Sequence, residues 1–319
     1  MNYVEDMRND SGIREKNLGD GISSFNFTSK TFKKGNWNDR TIKARGLFVD
    51  TDTDRILARS YNKFFNIGER PETAWESLRE NLVFPVTPYI KENGFLGIAS
   101  MGKDGKLFLA SKSSNQGEFA EYFKNIMDKT LSEEEQDYFA QLLGNNDCSA
   151  VFEVIDVEHD RHIVDYFESH LVLLDIIYND YKYSHAEYSA LEHVSKRFGF
   201  EIKQRLPELN SFKELEAFYL IWRKRTNIEG MVLEDANGFM FKMKFDWYKY
   251  WKGVRGIIQQ LASGKHEYEI RNYHARLHDE TLAAWLPDYC FNFKMETGKA
   301  PHVIDVRHQY YWYYCDDMK

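Results

Sequence analysis

The alternation of apolar and polar positions predicts short strands joined by turns. Residues 95–101 and 106–111 are strand-like and are separated by a glycine-rich turn, and residues 230–233 and 238–244 are separated by Asp, Ala and Asn. Each pair therefore predicts an antiparallel hairpin. Large apolar and β-branched residues predict further strands over residues 44–50, 55–60, 82–90, 150–157 and 170–177.

Three Ser-x-x-Glu pairs, each ahead of an apolar run, predict where helices begin. The pairs are Ser132 with Glu135, Ser184 with Glu187, and Ser211 with Glu214. In such a pair both side chains accept hydrogen bonds from free amides of the first helical turn. Gly144 and Gly199 predict the ends of the first two helices. Strands and helices mixed without regular βαβ alternation predict an α+β fold.

The pattern changes at about residue 256. Residues 278–285 have helical spacing, and residues 308–315 form an aromatic tail. We therefore predict a catalytic unit over residues 1–255 and a small, mainly helical C-terminal appendage over residues 256–319. An appendage of this size is expected to pack against the main body, because it is too small to bury a sufficient core alone.

The composition predicts a folded, soluble, cytoplasmic protein. The 319 residues are 43% hydrophobic and carry a net charge of -8, which excludes a generally basic nucleic-acid coat protein. Any nucleic-acid site must therefore be local. The three cysteines show no C-x-x-C spacing, which argues against a disulfide framework and a zinc knuckle. The sequence contains no export signal and no apolar stretch long enough for a membrane span.

Several common nucleotide and catalytic motifs are absent from the sequence. It contains no P-loop, no Rossmann glycine fingerprint, no G-x-S-x-G and no H-E-x-x-H. His159 and His162 come nearest to a metal-binding spacing. They lie between two strand-like runs, which favours a solvated loop over a metal site.

A short lysine motif and its distant companions carry the candidate chemistry. The motif is Lys91, Glu92, Asn93 and Gly94. A chain of this length is expected to contain a K-x-x-G about once by chance, so the companions decide its meaning. The companions are Glu153, Glu229, Lys242 and Lys244. Glu153 follows Lys91 by 62 residues, Glu229 follows Glu153 by 76, and Lys242 follows Glu229 by 13.

In order and spacing these segments resemble the nucleotidyl-transfer motifs of covalent ligases. They are most similar to the branch that contains phage RNA ligase 1 and the sealing domain of fungal tRNA ligases. Residues 43–48 and 62–66 extend the resemblance, and DNA ligases and capping enzymes do not share them in this form. The resemblance covers residues 43–252. It implies an antiparallel-sheet nucleotidyltransferase domain of the ATP-grasp-like ligase type.

The resemblance implies RNA repair, including tRNA repair, through lysyl-AMP. Lys91 would attack the α-phosphorus of ATP, the 5′-phosphate of RNA would then accept AMP, and a 3′-hydroxyl would displace AMP. The implied cofactors are ATP and Mg²⁺ or Mn²⁺, and the implied partner is RNA with 5′-phosphate and 3′-hydroxyl ends. A lysine must lose its proton to act as a nucleophile, and Lys242, Lys244 and a hydrated metal are together expected to lower the pKa of Lys91.

The resemblance also assigns the other site residues. The implied nucleotide and phosphate ligands are Arg45, Lys63, Glu92, Asn93, Gly94, Lys112, Glu153, Lys242 and Lys244. The implied metal ligands are Glu153 and Glu229, which fits the preference of Mg²⁺ for few carboxylates and several waters. Asn93 stands where the commoner motif has Asp, and its amide retains the ability to hydrogen-bond a ribose hydroxyl.

Two basic stretches rich in aromatic residues are candidates for binding RNA. Residues 30–45 contain six cations and one acid, and residues 242–255 contain five cations and one acid. Cations beside stacking rings suit a single-stranded RNA end. The candidate contacts are Lys33, Lys34, Trp247, Lys249 and Lys252. A solvated face over an aromatic core is the alternative, and residues 256–319 are expected to contribute to RNA specificity.

Two other functions remain open. The first alternative is the sealing module of a tRNA-ligase-type end-healing system, which would need kinase and phosphoesterase partners and a 2′-phosphate. It could also be a non-catalytic protein that binds RNA ends, although the intact lysines and acids count against this. We expect a monomer with no membrane partner.

Overall fold

The computed structural model describes residues 2–314, in which thirteen strands form three sheets. The strands are β1 (Ile13–Gly19), β2 (Ile22–Phe27), β3 (Leu47–Asp50), β4 (Arg55–Arg59), β5 (Phe65–Asn66), β6 (Thr87–Lys91), β7 (Phe95–Met101), β8 (Leu107–Ser111), β9 (Cys148–Ile155), β10 (His170–Tyr178), β11 (Glu201–Ile202), β12 (Gly230–Glu234) and β13 (Met240–Lys244).

Helices cover the sheets and form most of the C-terminal part. They are α1 (Tyr3–Arg8), α2 (Ser29–Lys34), α3 (Asp39–Lys43), α4 (Trp75–Asn81), α5 (Glu118–Thr130), α6 (Glu133–Asn145), α7 (Tyr188–Phe198), α8 (Phe212–Trp222), α9 (Asp246–Ala262), α10 (Tyr273–Leu277), α11 (Glu280–Thr297) and α12 (Val303–Tyr314). Short 3₁₀ turns lie at Pro71–Thr73 and Glu267–Glu269.

The sheets are almost entirely antiparallel. The N-terminal sheet has the order β1-β2-β3-β4, the central sheet β11-β10-β9-β7-β8, and the third sheet β5-β13-β12-β6. Among the strands of residues 2–314, only the two-residue strands β11 and β5 pair in parallel. The two predicted hairpins are confirmed as β7–β8 and β12–β13, and so is the predicted α+β fold with antiparallel sheets.

Two of the three predicted helix starts are confirmed. Ser132 caps α6 in a complete capping box, and the Ser211 hydroxyl accepts a hydrogen bond from the first turn of α8. The prediction at Ser184 is wrong, because α7 begins later, with Glu187 as its N-cap. The Ser184 carbonyl instead accepts a hydrogen bond from Tyr178, so this segment extends the edge of the central sheet.

Each sheet buries an apolar face under helices. Phe123, Phe139 and Phe152 lie in the core between the central sheet and helices α5 to α7. The third sheet packs Phe241 and Met231 against α4 and α8. Burial of large apolar side chains is the main favourable contribution to folding, so these cores hold the strands that carry the candidate site in a fixed register.

The C-terminal helices form a core of their own, as the mainly helical prediction requires. Trp251, Ile257 and Leu286 lie in it together with Ile163 and Val164 from the loop between β9 and β10. Helix α9 runs through residue 256, and the division into residues 1–255 and 256–319 stays a prediction. Within residues 2–314 no helix is both long and apolar enough to span a membrane.

The cysteines agree with the sequence analysis as far as the structure describes them. Cys148 and Cys290 are buried and free. Cys315, at the end of the predicted aromatic tail, lies outside the described residues.

Candidate active site

Strand register brings the predicted lysines together. Lys91 ends β6 and lies opposite Gly230 of β12, and Gly230 lies opposite Lys244 of β13. Glu229 directly precedes β12, so it lies beside this row. Glu153 approaches from the central sheet, where it pairs with a residue of β7, the strand that follows the lysine motif.

The Lys91 amine lies between the two predicted acids. Its Nζ atom is 3.1 Å from Glu229 Oε2 and 4.0 Å from Glu153 Oε1. The second oxygen of Glu229, Oε1, is 2.7 Å from Lys244 Nζ. Glu229 is only 3% exposed, so one buried carboxylate bridges two lysines. We call Lys91, Asn93, Glu229 and Lys244 the pocket floor.

The charges of the floor hold Lys91 in its protonated form. Burial lowers the pKa of Lys91, but the carboxylates of Glu229 and Glu153 raise it more, so the net direction is upward. Lys242 and Lys244 alone therefore do not lower the pKa of Lys91, and the contribution expected from a hydrated metal stays a prediction. Burial raises the pKa of Glu229, but Lys91 and Lys244 more than offset burial and lower the pKa to about 2.

Asn93 is buried and uses its whole amide group. Its Nδ2 atom donates to Glu229 Oε2 at 2.8 Å, and its Oδ1 atom accepts from the amides of Ile163 and Val164 at 3.0 and 3.2 Å. An aspartate could accept from the two amides but could not donate to Glu229. The asparagine therefore suits this floor, where it joins Glu229 to the loop that enters the C-terminal core.

The rest of the lysine motif is fixed by close contacts. The Gly94 amide donates to Glu153 Oε1 at 2.8 Å, and a Cβ atom at this position would overlap the Val154 carbonyl oxygen. The Tyr166 hydroxyl accepts from the Asn93 amide at 2.8 Å and donates to Glu92 Oε2 at 2.7 Å. Burial raises the pKa of the Glu92 carboxyl.

A second group of predicted residues lies beside the floor, and we call it the cationic rim. It consists of Arg45, Lys63, Lys112 and Lys242. Lys63 donates to the Phe64 carbonyl at 2.8 Å, and its distance to the nearest carboxylate, that of Glu69, is 3.9 Å. The Arg45 guanidinium contacts the Ser60 hydroxyl at 3.4 Å.

Burial and mutual repulsion weaken the hold of the rim on its protons. Burial, followed by the charges of Lys63 and Lys91, lowers the pKa of Lys242 to about 7. Burial also lowers the pKa of Lys63 to about 8, against the attraction of Glu69. The pKa of Lys112 is lowered by burial and by Arg45. Such a group gains stability from an anion that neutralises it.

A cavity opens beside Lys91 of the floor and Arg45 of the rim. Its polar lining comes from Lys91, Glu92, Glu153, Arg45 and Lys203. Its apolar wall is formed by Phe64, Leu96, Leu174, Val232 and Met240. An apolar pocket with a few polar groups at one end is typical of a small-molecule site, and a nucleoside with an attached phosphate chain matches this division.

A buried polar cluster under the cavity was missed in the sequence analysis. Asp175 is fully buried and lies 2.9 Å from Lys203 Nζ and 3.4 Å from His185 Nδ1. Glu234 contacts the other nitrogen of His185 at 2.8 Å, and the two carboxylates raise the pKa of His185 to about 10. The signal in the sequence was an acid inside the apolar run at residues 171–178.

The candidate RNA contacts lie on two separate surfaces. Lys33 and Lys34 are exposed at the end of α2. On α9, Lys249 pairs with Asp246 at 3.0 Å, and Lys252 lies 6.0 Å from the ring centre of Tyr248. Trp247 packs under the guanidinium of Arg307 at 4.8 Å from its ring centre, so it also stabilises the C-terminal core.

The acids of the site fit a metal ion that is shared with a nucleotide. Within residues 2–314 no group of three or more His, Cys, Asp or Glu side chains could hold a metal alone. Glu153 lines the cavity, and both Glu153 and Glu229 contact Lys91, so two carboxylates lie around this lysine. Mg²⁺ commonly takes one or two carboxylates and completes its shell with waters and phosphate oxygens, so these residues fit that ion.

Comparison with known proteins identifies the family. A family model described as RNA ligase matches residues 43–250. The chain belongs to the RNA ligase family. The chain is 29% identical to tRNA ligase 1 of Schizosaccharomyces pombe over 70% of this chain and 32% of that protein. It is 25% identical to the tRNA ligase of Candida albicans over 78% of this chain and 36% of that protein. The predicted branch is thereby confirmed.

Solved structures extend the similarity to the fold. An archaeal ATP-dependent RNA ligase superposes with a TM-score of 0.56 at 11% identity, covering 93% of this chain and 80% of that chain. A putative ATP-dependent DNA ligase from Aquifex aeolicus gives 0.54 at 12% identity, covering 98% and 80%. The nucleotidyltransferase fold is confirmed, and the chain spans about a third of the length of the two fungal relatives.

Proposed function

We propose that this protein is an ATP-dependent RNA ligase that repairs RNA, joining 5′-phosphate to 3′-hydroxyl ends through lysyl-AMP. The observation that carries the proposal is the position of Lys91. Its amine lies at the edge of an apolar cavity, between two acids, and faces a rim of four cations. This arrangement offers a nucleophile, a place for a nucleoside and a place for phosphates.

Three phosphoryl transfers make up the reaction. Lys91 Nζ forms a bond to the α-phosphorus of ATP while the bond to pyrophosphate breaks. A 5′-phosphate oxygen of RNA then attacks the same phosphorus, and Lys91 leaves. Finally the 3′-hydroxyl of a second end attacks the RNA phosphate, forms the phosphodiester and releases AMP. In such transfers catalysis consists mainly of positioning and of stabilising charge on the phosphoryl oxygens.

The residues have separate tasks in this scheme. Arg45, Lys63, Lys112 and Lys242 bind phosphate oxygens, and the apolar wall holds the adenosine. Glu92 and Asn93 orient the lysine motif, and Lys244 stabilises Glu229. Glu153 and Glu229 would hold Mg²⁺ or Mn²⁺, whose charge compensates phosphate oxygens and these two carboxylates. The raised pKa of Lys91 comes from the same carboxylates, so the free amine forms only after their charge is compensated.

Covalent labelling with α-labelled ATP tests the assignment of Lys91. We expect the wild type to retain label after denaturation and Lys91→Ala to retain none. Lys91→Arg should fail equally, because arginine stays protonated. Lys106→Ala, which changes an exposed lysine of the β7–β8 turn, is the matched control and should label normally. Label on Lys91→Ala would assign the nucleophile to another residue.

A sealing assay with defined ends tests the substrate. We expect single-stranded 5′-phosphorylated RNA to be sealed and matched DNA to be left open, with activity restored by one ribose at the 3′ end. The 2′-hydroxyl is the group by which a protein distinguishes RNA from DNA. Equal sealing of RNA and DNA would contradict RNA selectivity.

The similarity to fungal tRNA ligases favours a second candidate function. In it the chain is the sealing module of an end-healing system that acts with a kinase and a phosphoesterase and needs a 2′-phosphate. Substrates with and without a 2′-phosphate separate the two functions, because only the second requires it. A chain that binds RNA ends without ever forming lysyl-AMP would instead be a non-catalytic sensor.

A further inference from the structure

An aromatic cluster extends from the cationic rim to the protein surface. Phe27 and Phe32 stack with their ring planes 16° apart and their centres separated by 6.3 Å. Trp37 contacts Phe27 edge-on at 4.8 Å and Phe65 at 5.3 Å. Phe32 is 55% exposed at the outer end of this cluster, although a phenylalanine normally stabilises a protein by being buried.

Two lysines of the rim lie against the same rings. Lys63 Nζ is 3.8 Å from the centre of Phe65, and Lys112 Nζ is 4.6 Å from the centre of Phe27. The rings therefore connect the proposed phosphate ligands directly to the exposed face of Phe32. Arg70 supports this arrangement, because it donates to the carbonyl of Gly35 at the end of α2 at 2.9 Å.

The charge around Phe32 favours a polyanion. Residues 28–38 contain three lysines and no acid, in a chain whose net charge is -8. Lys30, Lys33 and Lys34 are exposed on α2, the same short helix as Phe32. An exposed aromatic face with cations on both sides is the usual construction of a site for single-stranded nucleic acid, in which a base stacks and its phosphates are neutralised.

We propose that Phe32, backed by Phe27 and Trp37, is the platform on which the 5′-terminal base of the RNA stacks. This inference rests on the proposed function, because it takes the rim as the place of the 5′-phosphate. A nucleotide whose phosphate reaches Lys63 and Lys112 carries its base toward Phe32 along the line of rings. The platform recognises a π face, so it accepts all four bases.

Binding measurements with and without the 5′-terminal base test the platform. The probes are 5′-phosphorylated single-stranded RNA and the same RNA with an abasic 5′-terminal nucleotide, each labelled at its 3′ end for fluorescence anisotropy. We expect Phe32→Ala and Phe32→Leu to weaken binding of the complete RNA about tenfold. Neither change should affect the abasic RNA, which the wild type should already bind about tenfold more weakly.

Phe291→Ala is the matched control, because Phe291 is also exposed, at 65%, but lies on α11. It should bind both RNAs as the wild type does, and all variants should form lysyl-AMP normally. Equal weakening of both RNAs by Phe32→Ala would overturn the platform. A loss of affinity seen only with a strand that provides the 3′-hydroxyl end would also overturn the platform, because Phe32 would then bind the other RNA end. Absence of lysyl-AMP in the wild type would refute the ligase and leave the binding comparison valid.

Discussion

The pocket floor and the cationic rim both contain lysines, but these lysines lie in opposite electrostatic surroundings. In the floor every charge has a partner, since Glu229 binds Lys91 and Lys244 at 3.1 and 2.7 Å and also accepts from Asn93. In the rim, Lys242 is buried among other cations, and its pKa falls to about 7. The charges of the floor are paired with one another, whereas the charges of the rim are left for the anions that it binds.

Removing the Glu229 carboxylate should have the largest effect, because it leaves Lys91 and Lys244 as neighbouring cations without a shared acid. We expect Glu229→Ala to reduce lysyl-AMP formation at least about a hundredfold. It should also cost about 2–3 kcal/mol of unfolding free energy, somewhat less than a fully buried pair because the two lysines keep some contact with solvent. Labelling and thermal unfolding measure the two effects.

Glu69→Ala is the matched control, because it removes the carboxylate nearest to Lys63 of the rim. Its carboxylate is partly exposed and lies 3.9 Å from Lys63, so its loss should cost less than about 1 kcal/mol. Equal destabilisation by the two changes would mean that floor and rim do not differ as described.

Asn93→Asp should disturb the floor although the two side chains have almost the same size and shape. Its carboxylate would lie about 3 Å from Glu229, where two like charges share a proton. We expect adenylation to fall about tenfold at neutral pH and to recover as pH decreases, because protonation restores the hydrogen-bond donor. A pH profile of lysyl-AMP formation that matches the wild type would show that the donor is unimportant.

Binding of ATP in the absence of metal should be accompanied by proton uptake, because part of the rim is deprotonated in the free protein. Lys242 loses its proton above about pH 7 in the free protein, and bound phosphate should raise this pKa. Binding above pH 7 therefore takes up a proton, and affinity should fall by up to about tenfold per pH unit. Calorimetry in two buffers of different ionisation enthalpy measures the uptake. Lys242→Met should reduce it and leave the smaller uptake by Lys63, whose pKa is about 8, whereas proton release on binding would contradict the assignment.

The smallest effect is expected for the exposed lysines of α2, which lie outside the rim. We expect Lys33→Met and Lys34→Met each to reduce the slope of log affinity for RNA against log salt by about 0.7, the contribution of one contact to a single strand. Lys265→Met, on an exposed C-terminal loop, should leave the slope unchanged. An unchanged slope in all three variants would place the RNA elsewhere.

The site residues that could be predicted from the sequence are those whose order and spacing resemble the motifs of covalent ligases. Lys91, Glu229 and Lys244 meet as expected because β6, β12 and β13 pair in register. The upward direction of the pKa of Lys91 could not be foreseen, since it depends on distances to acids from two different sheets. Tyr166 lies in an irregular loop with no periodic pattern, so no signal in the sequence linked it to the lysine motif.

The wrong prediction of a helix start at Ser184 also reflects a contact that the local sequence does not show. Ser184 has the sequence of a helix cap, yet its carbonyl completes a hydrogen bond at the edge of the central sheet. A short-range preference worth about 1 kcal/mol yields to pairing that also buries a strand. Antiparallel hairpins were predicted well because their signal, a turn between two alternating runs, is contained within a few residues.

The loop residues Ile163 and Val164 have a practical consequence for dissecting the protein. Their side chains lie in the C-terminal core, their amides hold Asn93, and the carbonyl of Ile163 accepts from Arg307 at 2.8 Å. A shortened chain that ends at residue 255 would stop inside α9 and leave both side chains in water. Such a truncation would therefore lose adenylation together with any function of the deleted helices, and the two losses could not be told apart.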